Sequence, residues 1–300
     1  MRYDFTIVGA GIFGAVFARK MVDAGKKVLV IDRRSHIGGN CYTEENNGIH
    51  VHKYGPHIMH TSSDKVWHFI NQYTKMNNFT LRIRVNFEGK IYSFPINMNT
   101  MNQMFGVITP EEAEKKISEL QHQIISPANL EEWILSRVGS ELYKTFIEGY
   151  TTKQWGKCPI EPPTAIIKRL PIRFTYNDNY FNDTYQGIPV GGYKQFFEKL
   201  LEGIEVRLNE DYLTNRDYYN KISDQLIYCG KIDEFFNYEY GELAWRSLKF
   251  DHQLKEVNNF QGCAVMNYTS ADIPFTRIIE HKHFEETSIL KKMGKTCITY

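Results

Sequence analysis

The sequence predicts an α/β protein in which a parallel sheet is interrupted by a helical insertion and an antiparallel sheet. Three observations predict it. The first 32 residues run strand, glycine-rich turn, helix, strand; residues from about 98 to 168 read as helices with legible caps; and a short apolar strand near residue 227 resumes the first pattern.

Tyr3 to Val8 is an apolar run of strand length, and Gly9-Ala10-Gly11-Ile12-Phe13-Gly14 opens an amphipathic helix reaching to about Ala24. Lys27 to Asp32 is the second strand and ends in an acid. The three glycines serve different physical ends. Gly9 allows the tight turn, Gly11 lets backbone amides approach a pyrophosphate, and Gly14 lets helix and strand pack closely. The anion then lies on the helix N-terminus, where unpaired N–H groups and the dipole favour negative charge. Asp32, about 20 residues downstream, is placed to accept hydrogen bonds from a ribose diol, which disfavours a 2′-phosphate. The strand before, helix after and acid at this distance turn a weak glycine motif into a Rossmann-like dinucleotide signature.

The continuation Asp32-Arg33-Arg34-Ser35-His36-Ile37-Gly38-Gly39-Asn40 resembles the second glycine pair of glutathione-reductase-like flavoproteins, which implies FAD. Tyr54-Gly55-Pro56-His57-Ile58-Met59-His60 follows, with two histidines three apart. That spacing suits a metal on a helix, but Gly55-Pro56 argues for a loop or strand start, so no metal is assigned.

Leu81 to Phe94 alternates around a Glu88-Gly89 turn as a hairpin. Thr109-Pro110-Glu111-Glu112 combines a capping box with proline at the first helical position, and Asn129-Leu130-Glu131-Glu132 starts a helix ending near Gly139. The next helix, from Ser140 to Trp155, sets Phe146 four residues before Tyr150 and Thr151 four before Trp155. Such a stripe suits a core as well as a ligand face. Lys168-Arg169-Leu170-Pro171-Ile172-Arg173 is either a solvated loop or one that closes on an anion, since the guanidinium fork matches phosphate oxygens. Gly187 to Tyr193 leads into a helix, and Gln225 to Gly230 is a buried strand returning to the nucleotide sheet. The expected domains are about 1–78 with 186–242 for the nucleotide, about 98–168 for helices, and about 79–94 and 170–185 with 243–300 for a β-sheet substrate domain.

Bulk properties narrow the partners. Lysine and arginine total 36 against 35 acids, without long runs of one sign, so nucleic acid is not expected. Five scattered cysteines form no CxxC pair and read as reduced thiols. No signal peptide opens the chain and no apolar run reaches the ~18 residues of a membrane span, so a soluble, cytoplasmic protein is expected.

Taken together, the glycine motif, His36 to Asn40, Gly55 to Ile58, Phe94-Pro95-Ile96-Asn97, Gly149 to Trp155, Tyr185 to Pro189 and Thr276 to His281 resemble the prokaryotic UDP-galactopyranose mutases. The resemblance implies an isomerase of surface-polysaccharide synthesis that holds FAD, needs an external flavin reductant, and converts UDP-galactopyranose to UDP-galactofuranose. In that family the reduced flavin N5 attacks the anomeric carbon and no net oxidation occurs. It implies cofactor contacts at Gly9, Gly11, Phe13, Gly14, Asp32, Arg33, Gly39, Asn40, His57 and Ile58. It implies substrate contacts at Phe146, Tyr150, Thr151, Trp155, Tyr180 and Asn267, with Arg169 and Arg277 on the diphosphate and His57 beside the flavin as the catalytic set. Arg173 is a secondary candidate that braces the arginine loop. Leu81 stands where several relatives carry asparagine, which removes one sugar-side polar contact. The family continues for roughly sixty residues beyond the position of Tyr300, carrying a phosphate-binding tyrosine and a second flavin segment. Subunit pairing as a homodimer stays open. So do two other readings: a flavin oxidoreductase of the amine-oxidase type, and a non-catalytic binder of flavin or nucleotide sugar.

Overall fold

The computed structural model describes residues 2–156, 172–285 and 293–300, which fall into two compact units. The first unit, 1–79 with 183–250, is built on a parallel sheet of β1 (Tyr3–Val8), β2 (Val28–Asp32), β9 (Glu205–Leu208) and β10 (Ser223–Tyr228), in the order β10-β1-β2-β9. All five residues of β2 are buried, as an inner strand of a parallel sheet requires. β10 pairs with β1 in parallel register, Phe5 opposite Gln225, and so returns to the nucleotide sheet. It is not buried throughout: Asp224 and Gln225 are exposed, because β10 is an edge strand with neighbours on one side only.

Between β1 and β2 lies α1 (Ile12–Asp23), with Gly14, Ala15 and Ala18 on its buried side. Small residues there let the helix axis approach the sheet. The hairpin of β3 (Thr43–Asn46) and β4 (Ile49–His52), the short pair β5 (Met59–Thr61) with β8 (Tyr185–Gly187), and the helices α2 (Asp64–Asn71) and α7 (Gly192–Leu200) complete this unit's frame.

The second unit, 80–182 with 251–300, holds a six-stranded sheet. Its strands are β6 (Ile83–Phe87), β7 (Lys90–Phe94), β11 (His252–Lys255), β12 (Val265–Tyr268), β13 (Arg277–Glu280) and β14 (Thr296–Thr299), ordered β11-β14-β13-β12-β6-β7. The β6–β7 hairpin turns at Glu88 and Gly89, both at positive φ. All pairings are antiparallel except β12 with β6.

The helices α3 (Met98–Phe105), α4 (Pro110–Leu120) and α5 (Leu130–Tyr143) cluster with this sheet in one unit. Thr109 caps α4 with a capping box to Glu112, and Asn129 caps α5. The helix predicted to end at Gly139 breaks there: Gly139 has φ 77 and ψ 177, and an added Cβ would lie 2.1 Å from the Leu120 carbonyl oxygen. Only glycine fits. The following stretch is not one α-helix. A π-helical segment spans Lys144–Glu148 before α6 (Gly149–Trp155), so the simple four-residue spacing of Phe146 and Tyr150 does not describe their faces. Phe146 turns into the core between Tyr92 and Phe94, at ring distances of 5.8 and 6.0 Å, whereas Tyr150 is half-buried.

Candidate functional site

In the first unit, the glycine loop closes on itself tightly. A Cβ on Gly14 would sit 1.9 Å from the Gly9 carbonyl oxygen, and one on Gly39 would sit 2.9 Å from the Gly11 Cα. The Gly38 N–H donates to the Ala10 carbonyl at 2.8 Å, so the two glycine segments are joined directly. Gly11 caps α1 without a side-chain hydrogen bond, and no acid lies in the first turn. An uncapped, glycine-lined helix start with exposed Ile12 and Phe13 fits a diphosphate and an adjoining apolar group. The residues present therefore fit a dinucleotide.

Asp32 lies at the end of β2 and is 8% exposed. Its carboxylate accepts the Ala10 N–H at 2.8 Å and the Arg34 N–H at 2.9 Å. It thus shapes the loop, while each oxygen keeps a lone pair for a ligand hydroxyl. Arg33 faces Glu234 at 3.6 Å, and the Asn40 side-chain carbonyl accepts from Arg34 at 2.9 Å. Arg34 also lies 4.5 Å from the Tyr54 ring centroid, and His36 stacks on Tyr42 while bonding the Tyr54 hydroxyl at 2.8 Å. This brace of Arg34, His36, Tyr42 and Tyr54 around the Gly38-Gly39 segment was not singled out from the sequence; its signal was the aromatic and basic residues flanking the glycine pair.

His57 and Ile58 are half-buried. The His57 Nδ1 meets the Gly55 carbonyl at 2.9 Å, an acceptor only, so Nδ1 carries hydrogen and Nε2 is the ring nitrogen not committed to the main chain. The His57 N–H donates to Nδ1 of His52 at 3.3 Å. His60 pairs instead with Asp183 at 2.7 Å, so the two histidines of the motif serve different partners.

His52 itself is 1% exposed, and burial, with His57 and His50 nearby, pushes its imidazole down to about 3 from an ordinary 6.5. The unfolded chain takes up this proton below about 6.5 and the folded chain does not until about 3. The stability from a neutral His52 is thus complete above the unfolded value and is lost as pH falls through this window. His52→Asn should flatten the acid limb of thermal stability between about pH 6 and 4. Melting curves across that range check it; parallel limbs in parent and variant would refute the assignment.

In the second unit, three of the expected substrate residues meet: Arg277, Tyr150 and Tyr180. Arg277, the first residue of β13, donates to the Tyr150 hydroxyl and lies 5.8 Å from that ring's centroid. Tyr180 stands close enough to feel both: burial and Tyr150 raise its phenol while Arg277 lowers it. The net shift is upward, so the hydroxyl stays protonated and can donate. Phe94 bridges the two sides, 6.3 Å from Tyr180 and 6.0 Å from Phe146.

Asn267 of β12 is the register partner of Arg277, so both side chains leave one face of the sheet. It is 7% exposed, and its amide oxygen has no hydrogen-bond partner among the described residues. A buried acceptor left unpaired is costly. Thr151 is buried and Trp155 half-buried on α6. Arg173 donates to the main-chain carbonyls of Asn179 and Tyr180, which holds the Tyr180 segment, and the Tyr180 N–H in turn donates to the Leu81 carbonyl at 2.8 Å. Arg169 lies outside the described residues.

Lys153, part of the Gly149 to Trp155 motif but given no role there, turns out to be the most heavily bonded cation of this unit among the described residues. Its ammonium contacts the carbonyl oxygens of Tyr268, Ser270, Ile273 and Phe275 at 2.7 to 3.1 Å. The available signal was its place three residues after Tyr150 on the same helix face. Among the described residues, no group of three or more histidine, cysteine or acidic side chains could hold a metal ion, and no helix is long and apolar enough to cross a membrane.

A parallel sheet with a glycine-lined helix start, joined in one chain to a largely antiparallel sheet bearing an arginine–tyrosine cluster, defines a protein of the dinucleotide-binding fold class with a second, β-sheet unit. A family model described as an NAD(P)-binding Rossmann-like domain matches residues 7–73, and the UDP-galactopyranose mutase model matches residues 145–300. The chain is 44% identical over 311 residues to the dTDP-fucopyranose mutase of Escherichia coli, covering 97% of this chain and 81% of that one. It is 44% identical over 288 residues to a probable UDP-galactopyranose mutase of Klebsiella pneumoniae, covering 94% and 74%. A crystal structure of reduced UDP-galactopyranose mutase superposes with a TM-score of 0.70 at 14% identity, covering 99% of this chain and 73% of the other. The chain belongs to the UDP-galactopyranose mutase family, whose members are isomerases.

Proposed function

We propose that this chain interconverts the pyranose and furanose forms of a nucleotide-diphosphate hexose, UDP-galactose in the first instance, using FAD in its reduced form and without net oxidation. The observation that carries the reading is the cluster of Arg277, Tyr150 and Tyr180 on one side of a sheet that also presents the unpaired Asn267 oxygen. A guanidinium with two phenol donors suits a diphosphate. A buried carbonyl lacking a donor suits the imide N–H of a pyrimidine base.

When bound, reduced FAD supplies the nucleophile for the anomeric carbon. The chain's own residues hold and orient. The uncapped start of α1 and the Gly38-Gly39 segment bind the cofactor diphosphate, and Asp32 offers its remaining lone pairs to the ribose. Arg277 offsets the negative charge that gathers on the departing nucleotide diphosphate, and Tyr150 and Tyr180 hydrogen-bond its oxygens. Arg169 is proposed to join them, and His57 and Ile58 to lie against the flavin ring. A second substrate reading, dTDP-fucose, has its own support: the Escherichia coli relative named for that activity is equally identical, at 44%.

The test uses FAD-loaded protein, reduced with dithionite or left oxidised, given UDP-galactofuranose and dTDP-fucofuranose in separate reactions. Chromatography of the sugar nucleotides should show the pyranose form only in the reduced samples. Equal inactivity in both redox states with both substrates would sink the mutase reading, and stoichiometric consumption of oxygen with product formation would replace it with an oxidase.

A further inference from the structure

The connection from β12 to β13 runs from Tyr268 to Arg277 and wraps one side chain from another element. Four of its main-chain carbonyls, those of Tyr268, Ser270, Ile273 and Phe275, converge on the Lys153 ammonium at 2.7, 2.8, 3.1 and 3.0 Å. An ammonium has three protons for these four acceptors, so at least one proton is shared and the loop closes around a single centre. Burial pulls the Lys153 ammonium below its ordinary range while Asp272 pulls it back up, as expected for a charge held chiefly by uncharged dipoles. Two further contacts secure the same junction. A Cβ on Gly149 would lie 2.2 Å from the Thr269 carbonyl oxygen, and the Thr269 hydroxyl donates to the Thr145 carbonyl at 2.6 Å.

The two ends of this junction carry the proposed anion site. Lys153 lies three residues after Tyr150 on α6, and the loop it grips delivers Arg277 at its far end. We propose that Lys153 is a positioning residue, whose ammonium, caged by the β12–β13 loop, sets the placement of Arg277 against Tyr150 and thereby the affinity for a nucleotide diphosphate. Without the cation, four carbonyl dipoles point at one spot with no donor, and the loop must rearrange. The proposal rests on the reading that Arg277 and Tyr150 hold that diphosphate.

The experiment compares the intact, FAD-loaded parent, Lys153→Met, Lys153→Ala and Arg277→Ala by calorimetric titration with UDP, with flavin content and circular dichroism measured on each sample. Lys153→Met should weaken UDP binding about tenfold or more with flavin content unchanged, each tenfold being a modest free-energy change. Ethylammonium, which refills the cage of Lys153→Ala, should restore UDP affinity, while tetramethylammonium, which has no N–H, should not. UDP affinity within twofold of the parent in a folded Lys153→Met would overturn the proposal. So would ethylammonium that raises the melting temperature of Lys153→Ala without restoring UDP binding. If Lys153→Met is insoluble, Lys153→Ala purified in ethylammonium and then dialysed makes the same comparison. Arg277→Ala separates the two ideas: if it loses UDP and the lysine variants do not, only the positioning role fails, and if it keeps UDP, the site reading fails with it.

Discussion

Arg277→Ala is expected to lower turnover by about 10²–10³-fold while the protein keeps its flavin. The guanidinium is the charged member of the cluster that Tyr150 and Tyr180 complete, and it acts on both phenols, donating to one and lowering the other's proton affinity. In the proposed reaction charge develops on the diphosphate as the bond to the sugar breaks, so a fixed cation there counts more in the transition state than in the ground state. The loss should therefore appear in kcat as well as KM. Flavin binding should survive because the glycine loop belongs to the other compact unit. Arg277→Lys should recover part of the rate, since it returns the charge without the planar fork. Removing Arg277 also takes away the influence that lowers the Tyr180 phenol, so the Tyr180 titration should move upward, measurable by ultraviolet absorbance difference. Parent-like turnover in Arg277→Ala would place the diphosphate elsewhere.

Gly14→Ala is the second large effect, and it acts on the cofactor. A methyl group there would lie 1.9 Å from the Gly9 carbonyl oxygen and 3.2 Å from Ile7, so the start of α1 must move away from β1. Overpacking of this kind costs about 1–3 kcal/mol or more. The displaced elements are the ones proposed to present main-chain N–H groups to the cofactor diphosphate, so the variant should purify with little flavin. Gly25→Ala is the matched control. Gly25 has φ 77 with nothing within 4 Å, so the substitution strains the backbone by about 1–2 kcal/mol without crowding the loop. It should lower the melting temperature and keep the flavin. Full flavin occupancy in Gly14→Ala would show that the helix start does not hold the cofactor.

The βαβ unit was legible because its signals are local: apolar runs of strand length, glycines at fixed offsets and an acid at the end of β2. The caps at Thr109 and Asn129 were legible for the same reason, each being set by residues within one turn, and the glycine itself marked the break at Gly139, although the Leu120 carbonyl that forbids any other residue there is distant in sequence. What lay hidden depends on contacts between distant segments. The β12–β6 parallel pairing brings Asn267 beside Val85, and nothing within either strand announces it. The π-helical turn at Lys144–Glu148 carries no composition of its own, so the phase between Phe146 and Tyr150 could not be read from spacing. Lys153 looked like an ordinary helix lysine because its partners are main-chain carbonyls, which every residue has. His52 stayed unnoticed for a related reason: an imidazole at an inward strand position differs in sequence from an exposed one only through the alternation of its neighbours.

The strand order β10-β1-β2-β9 also bears on how the polypeptide is made. β1 meets β2 within the first 32 residues, but its other edge waits for β10, which leaves the ribosome only after the whole second unit's first half has been synthesised. Pairings so distant in the chain carry a high loop-closure cost and form late. Until then the nascent chain presents β1 as an open edge, with Phe5 and Ile7 along it, able to pair with any extended strand nearby. The strand on which the glycine loop stands is thus made first and stays one-sided until residues 223–228 have been synthesised, an interval in which an unpaired edge is exposed to aggregation.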